Sequence, residues 1–154
     1  LRARIIIELN QSEDEQASKD GMDISLIKLD LQNRQADWAG ANNPLWIVRK
    51  NVDDIEEIKP NKEPISYYAE MNEFANNSIQ LNNGDSFYLF SDGYPDQFGG
   101  LKGKKLKYKA FKNLIVMNAG EEMEMQKRLL SKFFENWKGD FDQIDDICVF
   151  GVKV

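Results

Sequence analysis

Phe87-Tyr-Leu-Phe-Ser-Asp-Gly-Tyr94 is the stretch on which the reading of this chain turns. Phe87 to Phe90 offer no polar face, which predicts a central strand covered on both sides. Asp92 follows where that strand ends. A carboxylate held at the end of a buried strand is costly unless it is paired or bound to a cation. Gly93 lets the backbone turn away sharply and leaves its carbonyl accessible. A second apolar run, Ile147-Cys-Val-Phe-Gly-Val-Lys-Val154, reads as another buried strand, with Asp145-Asp146 just ahead of it. If the two strands are neighbours, Asp92 and Asp145 meet in one acidic pocket at a sheet edge. Oxygen donors without histidine or cysteine suit a hard cation, Mg²⁺ or Mn²⁺. Asp-Gly and Asp-Asp are also ordinary turn formers, so spacing alone leaves a plain loop open at both places.

Working outward, Ser86 to Phe90 is preceded by the turn Asn82-Asn-Gly-Asp85 and by a strand at Ser78 to Leu81. Residues 24–29 and 35–39 predict two strands, and Leu45 to Arg49 a third after the turn Gly40-Ala-Asn-Asn-Pro44, together an antiparallel meander. A weak strand at 55–58 precedes a long loop. Leu1 to Leu9 reads as the end of a helix with a wide apolar face, and Asn10 to Lys19 as a loop. Lys107 to Met117 and Glu121 to Trp137 carry apolar residues at helical spacing. Gly120 is placed to cap the first, and Glu121, Glu122 and Glu124 to sit in the first turns of the second. The four prolines fall where turns are expected. Strands, a helix pair and a last strand predict an α+β fold.

Composition removes whole classes of chemistry. The 154 residues include no histidine and one cysteine, so no Ser-His-Asp or Cys-His mechanism, histidine-ligated metal or disulfide framework is available within them. Net charge −6 argues against a general nucleic-acid binder. No apolar run is long enough to cross a bilayer, and a cytoplasmic segment without membrane contact is expected. Charge is uneven: residues 102–112 hold six lysines and no acid, either a solvated surface or a patch attracting a phosphorylated or acidic partner.

Phe87 to Tyr94 with Gly84-Asp85 upstream, together with the closing Asp145-Asp-Ile-Cys-Val-Phe-Gly-Val152, resemble the C-terminal metal motifs of the bacterial stage II sporulation protein E family. Its members are metal-dependent serine/threonine phosphatases of the protein phosphatase 2C (PP2C) type. Trp38-Ala-Gly-Ala-Asn-Asn-Pro-Leu45 is similar to the family's Ala-Gly-His-Asn-Pro turn, with Ala41 in place of the histidine. The resemblance implies part of an αββα sandwich and a two-metal Mn²⁺ or Mg²⁺ centre. It implies Asp92, Gly93, Asp145 and Asp146 at the metals, Asp96, Asp20 and Asp23 near an additional metal, and Asn42 and Asn43 in a substrate loop. The family's N-terminal Asp-x-x-Gly-His-Gly motif is absent. Residues 1–154 are therefore expected to be the C-terminal portion of a single phosphatase domain, inactive alone, with a sensor domain upstream and a parent that membrane segments could anchor. An uncovered sheet edge would then favour self-association through edge pairing or exchange of Leu1 to Leu9. The implied substrate is a phosphorylated regulator such as an anti-sigma-factor antagonist. The alternative is a non-catalytic regulatory module that retains the fold.

Overall fold

The computed structural model describes residues 1–12, 20–67 and 71–154. In chain order the elements are α1 (Arg2–Glu8), β1 (Ile24–Asp30), β2 (Gln35–Ala41), β3 (Leu45–Val48), β4 (Glu56–Ile58), β5 (Asn77–Gln80) and β6 (Ser86–Phe90). They continue as α2 (Gly93–Asp96), β7 (Phe98–Gly99), β8 (Lys104–Lys105), α3 (Lys107–Asn118), α4 (Met123–Lys138) and β9 (Val149–Lys153). The contacts fall into two compact units, residues 1–44 with 59–80 and residues 45–58 with 81–154.

The first unit is built on an antiparallel sheet of order β1-β2-β5. Trp38, opposite Ile27 on β1, is fully buried, and its indole N–H donates to Ser25 Oγ at 2.7 Å. The ring lies over Gly40, where a Cβ would come within 2.4 Å of it, so this strand needs glycine there. Helix α1 is as foreseen but buries none of its residues, so its apolar face is shallower than Ile5-Ile-Ile7 suggests. Arg2 attaches it instead, with an ion pair to Glu63 at 3.3 Å, a hydrogen bond to the Asn72 carbonyl and its guanidinium over the Phe74 ring. Most of the Asn10–Lys19 loop, residues 13–19, lies outside the described residues.

In the second unit a sheet of order β4-β3-β6-β9, antiparallel throughout, carries α3 and α4. The meander foreseen for β1 to β3 breaks at Pro44. β3 pairs with β4 and β6 rather than with β2, and Asn42, between β2 and β3, takes a left-handed conformation (φ 59°). β6 is central, as its sequence requires. Trp46 and Tyr88 pair across the strands and, with Phe90, Phe111, Ile115, Leu130 and Phe134, form an aromatic core under the helices. Trp46 to Phe90 and Phe90 to Phe111 are 4.2 and 5.2 Å between ring centroids, separations at which aromatic pairs attract beyond their area burial. Tyr88 donates to Gln126 Oε1 at 2.8 Å, and Gln126 Nε2 donates to the Glu121 carbonyl, so a buried amide ties β6 to α4.

Four local readings need correction. β9 is an edge strand and only partly buried, with Phe150 54% exposed, because β6 alone pairs with it among the described residues. Gly120 takes no left-handed conformation, and α3 ends on Ala119 in helical geometry. α4 begins at Met123 after Glu122 in extended geometry, which leaves only Glu124 of the three glutamates in its first turn. Pro95 lies inside α2 rather than in a turn, where its missing N–H and fixed φ suit a helix start.

Asp85 is structural. It is 1% exposed, accepts from the backbone N–H groups of Lys50 and Asn82 and pairs with Arg49 Nη1 at 2.9 Å. Burial pushes its carboxyl up, but those two N–H groups and the guanidinium outweigh burial and hold it below the usual carboxylate range. A lowered folded-state pKa gives stability that is complete above the unfolded value near 4 and is lost as pH falls through the folded one. Asp85→Ala is expected to cost about 3 kcal/mol in urea melts at pH 7. Asp85→Asn should lie below wild type at neutral pH and converge with it in acid; a gap independent of pH would show that the charge does not act.

Candidate functional site

The end of β6 and the approach to β9 are held together by one hydroxyl. Ser91 Oγ donates to the Asp146 carbonyl at 2.8 Å and accepts from the Cys148 N–H at 2.9 Å, while the Ser91 N–H donates to the Cys148 carbonyl. These bonds extend the β6–β9 ladder beyond Phe90↔Val149 and hold the residue before Asp92 against the Asp146 backbone. Gly93 is required at this junction, since a Cβ would meet the Asp146 carbonyl oxygen at 2.4 Å. Tyr94 then plunges into the core. It stacks on Phe111 at 4.4 Å, contacts Phe134 at 5.2 Å and donates to the Leu130 carbonyl at 2.8 Å. Burial pushes its hydroxyl far above the usual tyrosine range, so it remains a neutral donor. Helix α2 is thereby pinned with Asp92 exposed at its start.

Asp145 and Asp146 are exposed, and the Asp145 carboxylate accepts the Asp146 N–H at 2.7 Å. Asp96, at the end of α2, is paired with Lys105 Nζ of β8 at 2.8 Å. In the first unit the Asp23 carboxylate accepts from Asn42 Nδ2 at 2.8 Å, and the Asn42 N–H donates to the Asn61 carbonyl. Asn43 donates its N–H to Ala41, and the Asp20 carbonyl accepts from Gln11 and Ser66. The structure thus groups Asp92 and Gly93 with Asp146, Asp96 with Lys105, and Asp23 with Asn42. Ser91 is the residue whose latch the sequence reading passed over; the only signal was a serine between an apolar strand and Asp-Gly.

The donors at the β6–β9 junction are carboxylate and carbonyl oxygens, the chemistry that Mn²⁺ and Mg²⁺ prefer. Among the described residues no three acidic or cysteine side chains gather closely enough to hold a metal ion. The junction therefore fits part of a metal centre and not a complete one. A groove of about 590 Å³ beside β9, lined by Tyr88, Met123, Leu130, Phe134, Val149 and Phe150, holds none of the candidate aspartates.

The family described as Stage II sporulation protein E (SpoIIE) matches residues 2–154. The chain belongs to this family. No curated protein sequence matches it. The SpoIIE-family chain is similar to the SiaA-PP2C domain of Pseudomonas aeruginosa, with 25% identity and TM-score 0.75 over 86% of this chain and 51% of that one. It is also similar to the manganese-presoaked phosphatase domain of the cell fate determinant SpoIIE from Bacillus subtilis, at 18% identity and TM-score 0.63 over 99% and 73%. The RsbU and RsbW domains of Rv1364c from Mycobacterium tuberculosis match at 19% identity and TM-score 0.64, over 85% and 35%. The chain spans about half the length of the SiaA-PP2C domain. The α+β architecture foreseen from the sequence is thus that of PP2C phosphatase domains.

Gly93→Ala should force the 146–148 backbone away from β6, since the obstructing atom is a carbonyl rather than a flexible side-chain end. The expected loss is about 2 kcal/mol. Amide shifts of Asp146 to Cys148 in NMR spectra check this, and an unchanged spectrum with unchanged stability would contradict it.

Proposed function

We propose that residues 1–154 form the C-terminal part of a bacterial protein phosphatase domain that hydrolyses phosphoserine or phosphothreonine on a regulatory protein. The observation that carries this is the Ser91 latch, which bonds the end of β6 to the Asp146 carbonyl and the Cys148 N–H in a chain of the SpoIIE family. In the reaction water attacks phosphorus, the bond to the serine or threonine oxygen breaks, and that oxygen regains a proton as inorganic phosphate leaves. Bound Mn²⁺ or Mg²⁺ would supply hydroxide near neutral pH and neutralise the developing phosphoryl charge. For its part the chain presents carboxylate oxygens of Asp92, Asp145 and Asp146 from a rigid strand end, with Gly93 keeping the approach open. The manganese-presoaked SpoIIE structure supports that metal class, and the RsbU and RsbW neighbour supports a regulatory phosphoprotein as partner, such as an anti-sigma-factor antagonist. Asp96 is proposed as structural, because Lys105 neutralises it. Asp23 and Asn42 hold one another, which fits a shaped loop better than an additional metal. A cytoplasmic setting and an upstream sensor domain complete the reading; among the described residues no helix is long and apolar enough to cross a membrane.

A second reading is a regulatory module without turnover. It draws on the lack of any three-ligand group among the described residues.

Asp92→Asn, made in the complete protein, separates the two. It keeps shape and removes a negative charge, so manganese-dependent hydrolysis should fall by at least the roughly 100-fold that even outer-shell partners of a metal ligand cost. Without metal the variant should melt no lower than wild type, because clustered carboxylates repel when no cation is present. Retained activity would move the catalytic role elsewhere. Residues 1–154 alone are expected to hydrolyse p-nitrophenyl phosphate little or not at all with manganese, and a robust rate would contradict the incomplete centre. Sedimentation of the same fragment checks whether the β9 edge drives self-association.

A further inference from the structure

Among the described residues, the lysine run at 102–112 is a strongly charged feature left without a task. It carries six lysines and no acid in a chain of net charge −6. Two of the six are neutralised within the fold: Lys105 by Asp96 at 2.8 Å, and Lys112 by Glu57 at 2.6 Å with its ammonium also over the Trp46 ring. The other four, Lys102, Lys104, Lys107 and Lys109, are exposed and have no carboxylate partner among the described residues.

Their placement is firm. Gly99 and Gly100 of the β7–β8 hairpin lie against Trp137, so closely that a Cβ on Gly99 would meet the Trp137 carbonyl, and the Gly100 N–H donates to that carbonyl at 2.8 Å. Buried Leu106 carries the chain from β8 into α3, where Phe111 is sunk in the core. The lysines thus ride on backbone anchored at Trp137 and in the core at Phe111. Clustered cations repel one another, and this chain has acids in excess that could have been set among them. A local positive surface on an acidic molecule focuses its field toward anionic ligands.

The hairpin that bears two of these lysines is also tied to the helix that starts at the candidate centre. Four-residue α2 starts next to Asp92 and ends at Asp96, and Asp96 is clamped by Lys105 of the hairpin. We propose that Lys102, Lys104, Lys107 and Lys109 form a docking surface for an acidic segment flanking the phosphorylated serine or threonine of a protein substrate. This rests on the phosphatase reading and adds to it how a substrate is chosen. An anionic bilayer is the less suited occupant. Leu101 at the hairpin tip is fully exposed, but the remaining charge of the molecule would be repelled by such a surface.

The test uses the complete protein and a variant with all four lysines changed to Gln, together with a charge-preserving variant with all four changed to Arg. The probes are a phosphoserine peptide with aspartates on both sides and the same peptide with serines there, followed by fluorescence anisotropy. Wild type should bind the aspartate-flanked peptide about tenfold or more tighter than the serine-flanked one, with the advantage erased by the Gln set, kept by the Arg set and weakened by salt. Equal affinity of wild type and a folded Gln variant for the aspartate-flanked peptide would overturn the proposal. Tighter binding to phosphatidylglycerol vesicles than to the peptide, lost in the Gln set, would overturn it in favour of lipid. Hydrolysis of p-nitrophenyl phosphate keeps the two readings apart. Its absence with docking intact would sink the phosphatase reading alone, whereas normal turnover with an unchanged KM for the aspartate-flanked peptide in the Gln set would sink the docking surface alone.

Discussion

Pairing of β6 with β9, completed by Ser91, is the interaction on which the second unit depends. Five residue pairs from Ser86↔Lys153 to Phe90↔Val149 join strands far apart in sequence, and the serine hydroxyl adds two partners beyond the last pair. Without that ladder the 145–148 segment would be an unanchored loop. With it, a backbone carbonyl is fixed so close to Gly93 that no other residue fits. Loop closure over such a separation costs entropy that only a well-formed ladder and a buried core can offset.

The core supplies the second half of that constraint. Tyr94 lies two residues beyond Asp92, stacked on Phe111 and bonded to the Leu130 carbonyl. Burying a ring of this size contributes about 2–3 kcal/mol, which offsets part of the roughly 4–8 kcal/mol of backbone freedom lost by a four-residue helix. Asp92 is thus held by its neighbours on both sides, Ser91 toward β9 and Tyr94 toward α3 and α4. Asp92 is an exposed acid on a rigid base.

Electrostatics divides the acids by task. Asp85, buried and bonded to two N–H groups and Arg49, stabilises the fold. Asp96 meets Lys105, and Asp23 meets Asn42. Asp92, Asp145 and Asp146 remain at the surface where the strands end. The lysines of the hairpin and α3 lie on the same unit as these acids, so opposite fields are built into one stretch of chain.

Much of this was determined by the sequence itself. Phe87 to Phe90, apolar on both faces, could only be an inner strand, and Phe111, Ile115, Leu130 and Phe134 at helical spacing could only be helix faces over it. The acids at the strand ends were legible for the same reason, because a strand's end is visible where its apolar run stops. Three matters were decided only by the tertiary structure. Whether β3 continued the first sheet turned on its pairing with β4 and β6, and whether β9 was buried turned on its having, among the described residues, a single partner strand. Which acids were already paired turned on Arg49, Lys105 and Asn42, residues at separations that no local pattern encodes. Periodicity reports which face of an element is apolar; it carries no information about which element, or which charge, arrives to cover it.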